Sequence, residues 1–140
     1  MIVYAESSAV LAWLLGEPEG EGVRDILRHA TRVVTSVLTG VESSRALARG
    51  TATDRLTSAD ELAALRLLDT AERSWVLLDL TDRVLDRARG RFPNEPVRTL
   101  DALHLATAAS FHEALGNVVM VSLDERVRSN AQGLGLGVAP

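Results

Sequence analysis

The chain alternates short apolar runs with longer stretches in which apolar residues recur at helical spacing. The short runs are Ile2-Val3-Tyr4-Ala5, Arg32-Val33-Val34-Thr35, Trp75-Val76-Leu77-Leu78 and Val118-Val119-Met120-Val121. Their length and β-branched content predict strands. The last run is continuous rather than alternating, as suits a strand covered on both faces. Between the runs, the spacing predicts helices over 8–15, 22–29, 38–49, 57–74, 82–89, 100–115 and 125–132. Gly16-Glu17-Pro18 breaks the first helix. Ser36 is a candidate N-cap and Gly50 a candidate stop for the third, and Ser58 with Glu61 fits a capping box for the fourth. Pro93 and Pro96 mark a loop, and Gly137-Val138 fits a further edge strand.

Strands that alternate with helices define an α/β domain with a mainly parallel central sheet. There is no internal repeat, low-complexity tract or linker, so residues 1–140 are expected to form one domain. In open sheets of this kind ligands bind outside the carboxyl ends of the strands, where the strand order switches. That rule directs attention to the residues just after each apolar run.

Composition narrows the chemistry. Hydrophobic residues make up 46% of the chain, enough for a packed core. No unbroken apolar stretch is long enough for a membrane span, and Glu6 interrupts an N-terminus that lacks a basic lead, so neither a membrane segment nor a signal peptide is expected. With no cysteine there are no disulfides or thiolate metal sites, and a cytoplasmic location fits best. All 15 basic residues are arginine. The absence of lysine excludes a phosphate-binding P-loop and Schiff-base chemistry. It also sets the chain apart from receiver domains and haloacid-dehalogenase-like phosphatases, which normally use a lysine. No G-x-S-x-G elbow is present, and no base is placed beside Ser7-Ser8, which argues against a Ser-His-Asp hydrolase. The net charge of −4 runs against the basic balance of most nucleic-acid binders, unless an acidic pocket offsets a local rim of arginines.

Acids stand where the sheet rule points. Glu6 follows the first strand, and Asp124 follows the fourth by two residues. Glu42 lies about one turn into the helix after the second strand, and Asp101 opens the apolar helix before the fourth. Four carboxylates in one pocket would repel unless cations or shared protons were present. Oxygen ligands of this kind suit hard divalent ions such as Mg²⁺ or Mn²⁺. Each acid also has a plain structural role open to it. Glu6 can cap the first helix and Glu42 can pair with Arg45. Asp101 can complement the helix dipole with Thr99 as N-cap, and Asp124 can do the same within a Ser122–Glu125 capping box.

Four blocks carry a family resemblance. Val3-Tyr4-Ala5-Glu6-Ser7-Ser8-Ala9-Val10, Thr35-Ser36-Val37-Leu38-Thr39-Gly40-Val41-Glu42, Arg98-Thr99-Leu100-Asp101-Ala102-Leu103-His104-Leu105-Ala106-Thr107-Ala108 and Val121-Ser122-Leu123-Asp124-Glu125-Arg126 follow one another in order across nearly the whole chain. Together they resemble the PIN-domain family, in particular its VapC-type toxins. The resemblance implies a three-layer α/β/α sandwich and a pocket of acids (here Glu6, Glu42, Asp101 and Asp124) that binds Mg²⁺ or Mn²⁺ and hydrolyses RNA phosphodiester bonds. It also implies a homodimer and a cognate VapB-like antitoxin that blocks the site. The family's first acid is usually Asp. Glu6 adds a methylene, which displaces the carboxylate by about one carbon–carbon bond length. The alternative is therefore a weakened site that binds a protein partner or RNA without cutting. A DNA nuclease of the same fold is a third reading.

Ser8, Thr99 and Ser122 are expected to orient the ligand carboxylates by hydrogen bonds. Arg98, beside the pocket, is the arginine expected to contact RNA phosphate. Arg83, Arg87, Arg89 and Arg91 interleave with Asp82 and Asp86 and read equally well as a solvated face. His104 lies three residues after Asp101, within reach of the same metal, but packing or support of a ligand is the favoured role. Trp13 and Trp75 sit among apolar neighbours and read as core or interface.

Overall fold

The computed structural model describes all residues 1–140. The chain runs β1 (Ile2–Ala5), α1 (Ser7–Leu14), α2 (Gly20–His29), β2 (Arg32–Ser36), α3 (Val37–Ala52), α4 (Ser58–Glu72), β3 (Val76–Leu78), α5 (Asp82–Ala88), α6 (Thr99–Leu115), β4 (Val118–Val121), α7 (Glu125–Gly133) and β5 (Gly137–Ala139). All four strand pairings are parallel, in the order β3-β2-β1-β4-β5. The predicted edge strand is therefore present, and the sheet is parallel throughout.

Side-chain alternation along the strands sorts the core into two faces. Tyr4, Val34, Val118 and Met120 pack with Val84 of α5, Leu105, Ala108 and Ala109 of α6, and Val127 and Ala131 of α7. Val3, Ala5, Val33 and Val121 pack on the other face with Ala9 and Val10 of α1, Val23 of α2, Leu47 of α3, and Ala64 and Leu68 of α4. The result is the expected three-layer sandwich. No helix is long and apolar enough to cross a membrane.

Several helix ends differ from the sequence-based expectation. Gly50 does not stop α3, which continues to Ala52. Gly50 instead lies against Leu56, where a Cβ would come within 2.7 Å of a Leu56 methyl carbon. The capping box of α4 is Thr57 with Asp60, one residue before the expected Ser58–Glu61 pair. Gly16 takes a φ of 65° and supplies the left-handed turn after α1.

Gly20 is a packing requirement. A Cβ there would come within 2.7 Å of the Ala12 carbonyl carbon and 2.9 Å of the Trp13 Cα, both rigid backbone. We therefore expect Gly20→Ala to destabilise the fold by about 3 kcal/mol, the upper end of the overpacking range. Urea unfolding measures this, and an unchanged midpoint would show that α1 and α2 can separate freely.

Candidate active site

The strand order reverses between β1 and β4, because β2 and β3 lie to one side of β1 while β4 and β5 lie to the other. The carboxyl ends of β1 and β4 therefore frame the crevice where ligands of such sheets bind. Glu6 leaves β1 there, and its N–H donates to the Val121 carbonyl at the end of β4 (3.0 Å). Asp124 follows β4 on the same side, while α3 and α6 bring Glu42 and Asp101 from either face of the sheet.

Glu6 is 4% exposed, yet none of the ion pairs includes it. Two serines hold its Oε2: Ser8 Oγ donates at 2.5 Å and Ser122 Oγ at 2.7 Å. Backbone groups orient those hydroxyls, since Leu123 N–H donates to Ser8 Oγ (3.0 Å) and Asp124 N–H to Ser122 Oγ (3.1 Å). Both serine protons are thereby directed at Glu6. The longer Glu side chain is built into this network, and its Oε1 accepts no hydrogen bond from the chain.

Glu42 is not paired with Arg45. Its Oε1 accepts from Ser7 Oγ (2.8 Å) and from His104 Nε2 (2.5 Å). Burial alone would push its pKa up, but the hydrogen bonds from His104 and Ser7 hold it below the ordinary carboxylate value. His104 is fully buried, and its Nδ1 lies 2.8 Å from the Tyr4 hydroxyl.

The structure also joins Asp101 and Asp124. Arg98 donates through Nε to Asp101 Oδ2 (3.1 Å) and through an η nitrogen to Asp124 Oδ2 (3.4 Å). Its own pKa is raised by the Asp101 hydrogen bond and charge, then by the charges of Asp124 and Glu6. The loop before α6 holds Arg98 in place. Asn130 of α7 accepts from Asn94 N–H (2.8 Å) and donates to Asn94 O (3.0 Å), while Glu95 accepts from the N–H groups of Phe92 and Val97. Asp124 has a second task, because its Oδ1 caps α7 by accepting from the N–H groups of Arg126 (2.8 Å) and Val127 (3.2 Å). The cap is Asp124 itself rather than a Ser122–Glu125 box.

Of the three residues expected to orient the carboxylates, Ser8 and Ser122 do so, whereas Thr99 is exposed and donates to none of the acids. It does not cap α6 either, whose N-cap is Arg98. Sequence reasoning missed Ser7. Its position beside Ser8 was the available signal, but only the fold shows that the two hydroxyls serve different acids. Arg83 and Arg87 pair with Glu113 of α6, not with Asp82 or Asp86. Trp13 and Trp75 stack in a tilted pair, 6.0 Å between centroids, at the edge of the core.

The donor set suits a hard cation. Glu6 Oε1, Glu42 Oε2 and Asp101 Oδ1 accept nothing from the chain, while the opposite oxygen of each is anchored. No three His, Asp or Glu side chains converge closely enough to grip one ion directly. Such a set fits an ion that keeps several of its waters, as Mg²⁺ does. Removing an orienting hydroxyl then weakens the set. Ser122→Ala is expected to lower Mn²⁺ affinity about tenfold, as read by calorimetry. Unchanged affinity would show that Glu6 is held without it.

Four carboxylates gathered at the switch point of a parallel sheet define an acidic site on an open α/β fold. The PIN domain model matches residues 3–132, and the chain belongs to the PIN-domain family. It is 38% identical over 138 residues to Ribonuclease VapC46 of Mycobacterium tuberculosis, covering 97% of this chain and 95% of that protein. Its fold is also similar to two solved structures. One is VapBC2 from Rickettsia felis bound to a DNA fragment from their promoter (TM-score 0.66, 9% identity, covering 99% of this chain and 98% of the other). The second is VapC20 of Mycobacterium tuberculosis, a sarcin-ricin loop cleaving toxin (TM-score 0.66, 14% identity, 91% and 93% coverage).

Proposed function

We propose that this PIN-domain ribonuclease toxin hydrolyses RNA phosphodiester bonds with a Mg²⁺ or Mn²⁺ ion held, in part through its waters, by Glu6, Glu42, Asp101 and Asp124. The observation that carries this reading is the half-anchored state of Glu6, Glu42 and Asp101, each with one oxygen fixed by the chain and one left to face a ligand. The chemistry such an ion supplies is a more acidic bound water and a polarised phosphoryl oxygen. The chain's own groups do the rest. Ser7, Ser8, Ser122 and His104 keep the carboxylates in place. An ionised carboxylate of the pocket accepts a proton from the attacking water. The water oxygen bonds to phosphorus, the bond from phosphorus to the 3′ oxygen breaks, the leaving 3′ oxygen takes a proton from solvent, and the products are a 5′-phosphate and a 3′-hydroxyl. Arg98 is 68% exposed, so its guanidinium can exchange a carboxylate for an RNA phosphate.

The regulatory partner in this reading is a cognate VapB-like antitoxin that covers the pocket. A homodimer in the cytoplasm completes it. One observation favours a second reading, a module that binds without cutting. Arg98 already forks between Asp101 and Asp124, so the pocket accepts a guanidinium, and a partner's arginine would find the same recognition.

The test is cleavage of total RNA by the purified, antitoxin-free protein in Mg²⁺ or Mn²⁺, with mapping of the product ends. Ends bearing a 5′-phosphate, lost on chelation, are expected. Cyclic 2′,3′-phosphate ends would make the 2′-hydroxyl the nucleophile and defeat the mechanism. Tight antitoxin binding without any cleavage would select the second reading.

A further inference from the structure

We infer that His104 is a positioning residue that holds Glu42 in its working orientation through a single neutral tautomer, protonated on Nε2 and fixed by the hydroxyl of Tyr4. The inference rests on the metal-site reading above for its consequence, though not for its geometry. His104 is wholly buried and three polar groups meet its ring: Glu42 Oε1 and Ser7 Oγ on Nε2, and Tyr4 on Nδ1.

The direction of each bond follows from what its partner can do. An ionised carboxylate only accepts, and Ser7 already spends its proton on Glu42, so Nε2 must carry a hydrogen. On the other side, Tyr4 is fully buried and carries its phenol proton at neutral pH, as a phenol ordinarily does. Its hydroxyl makes no other hydrogen bond, so the phenol proton goes to the Nδ1 lone pair. Donation then runs one way, from Tyr4 through the imidazole to Glu42.

The chain has a mechanical consequence. Tyr4 stands within β1, flanked by β2 and β4, and His104 sits in the N-terminal half of α6. Glu42 projects from α3, on the opposite layer. The imidazole therefore ties a carboxylate of one helical layer to the sheet and to the other layer, and it occupies Oε1 while leaving Oε2 unpartnered. Asp101 lies one turn earlier on the same helix, so the tie also sets the spacing of two acids.

The experiment is long-range ¹H–¹⁵N NMR of histidine-labelled, metal-free protein at neutral pH, with His104→Gln used to assign the signal. The expected spectrum shows His104 with Nε2 protonated and Nδ1 bare, and a mixed or inverted tautomer in Tyr4→Phe. A second arm titrates Mn²⁺ calorimetrically. His104→Leu is expected to lose ten- to a hundredfold in affinity. His104→Gln, whose amide nitrogen reaches the same place as Nε2, is expected to recover most of that loss. A ring protonated on Nδ1, alone or together with Nε2, would overturn the inference. So would a folded His104→Leu that binds Mn²⁺ like the wild type, or equal losses in Leu and Gln variants. If the wild-type protein binds no Mn²⁺, the metal reading fails, while the tautomer still decides the claim about His104. If the Leu variant does not fold, Tyr4→Phe and the Gln variant carry the test.

Discussion

Replacing Asp101 by Asn is expected to lower RNA hydrolysis by about a thousandfold or more, equivalent to roughly 4 kcal/mol of transition-state stabilisation. Asn keeps the size of the side chain, removes its charge and turns one acceptor oxygen into a donor. Asp101 sits in the first turn of α6, 9% exposed, with Arg98 on one oxygen and the other oxygen free. The charge is needed twice, to attract the ion and to balance Arg98. The Asn protein should fold, because the apolar face of α6 that builds the core is untouched. A steady-state cleavage assay alongside a thermal melt measures both parts. Near-normal cleavage with a normal melt would remove Asp101 from the catalytic set.

Asp124 separates chemistry from stability. Its Oδ1 caps α7 while its Oδ2 faces Arg98 and the pocket. Asn caps helices about as well as Asp, whereas Ala does not. Asp124→Asn is therefore expected to abolish most activity, about a hundredfold or more, with little change in unfolding free energy. Asp124→Ala should lose the activity and about 1 kcal/mol of stability as well. Urea unfolding and RNA cleavage, run on both variants, read the two effects. If activity followed stability in both, Asp124 would be a helix cap and nothing more.

The sheet was legible because each buried strand is a short β-branched run, and the two layers of helices leave little else for those runs to form. Helix ends were harder to read. Thr57 and Ser58 stand side by side, as do Asp60 and Glu61, so two capping registers fit the same sequence and only the backbone distinguishes them. The positions of the acids follow from the strand ends and the sheet rule. Their partners do not, since the bonds that define the pocket join residues far apart in sequence. Ser122 reaches Glu6 across 116 positions, and His104 reaches Glu42 across 62. The place of Arg98 depends on the Asn94–Asn130 clasp, which no local pattern predicts. Glu6 is instructive for the same reason. In the sequence it differs from the usual Asp by a methylene, and only the fold shows that Ser8 and Ser122 bond one oxygen of its carboxylate.

The four acids are proposed to form one cation site, and calorimetric titration of Mn²⁺ into metal-free, antitoxin-free protein tests that most directly. Saturable binding that disappears in both Asp101→Asn and Asp124→Asn is the predicted result. A folded wild-type protein that takes up no ion, or one whose binding survives both substitutions, would contradict it.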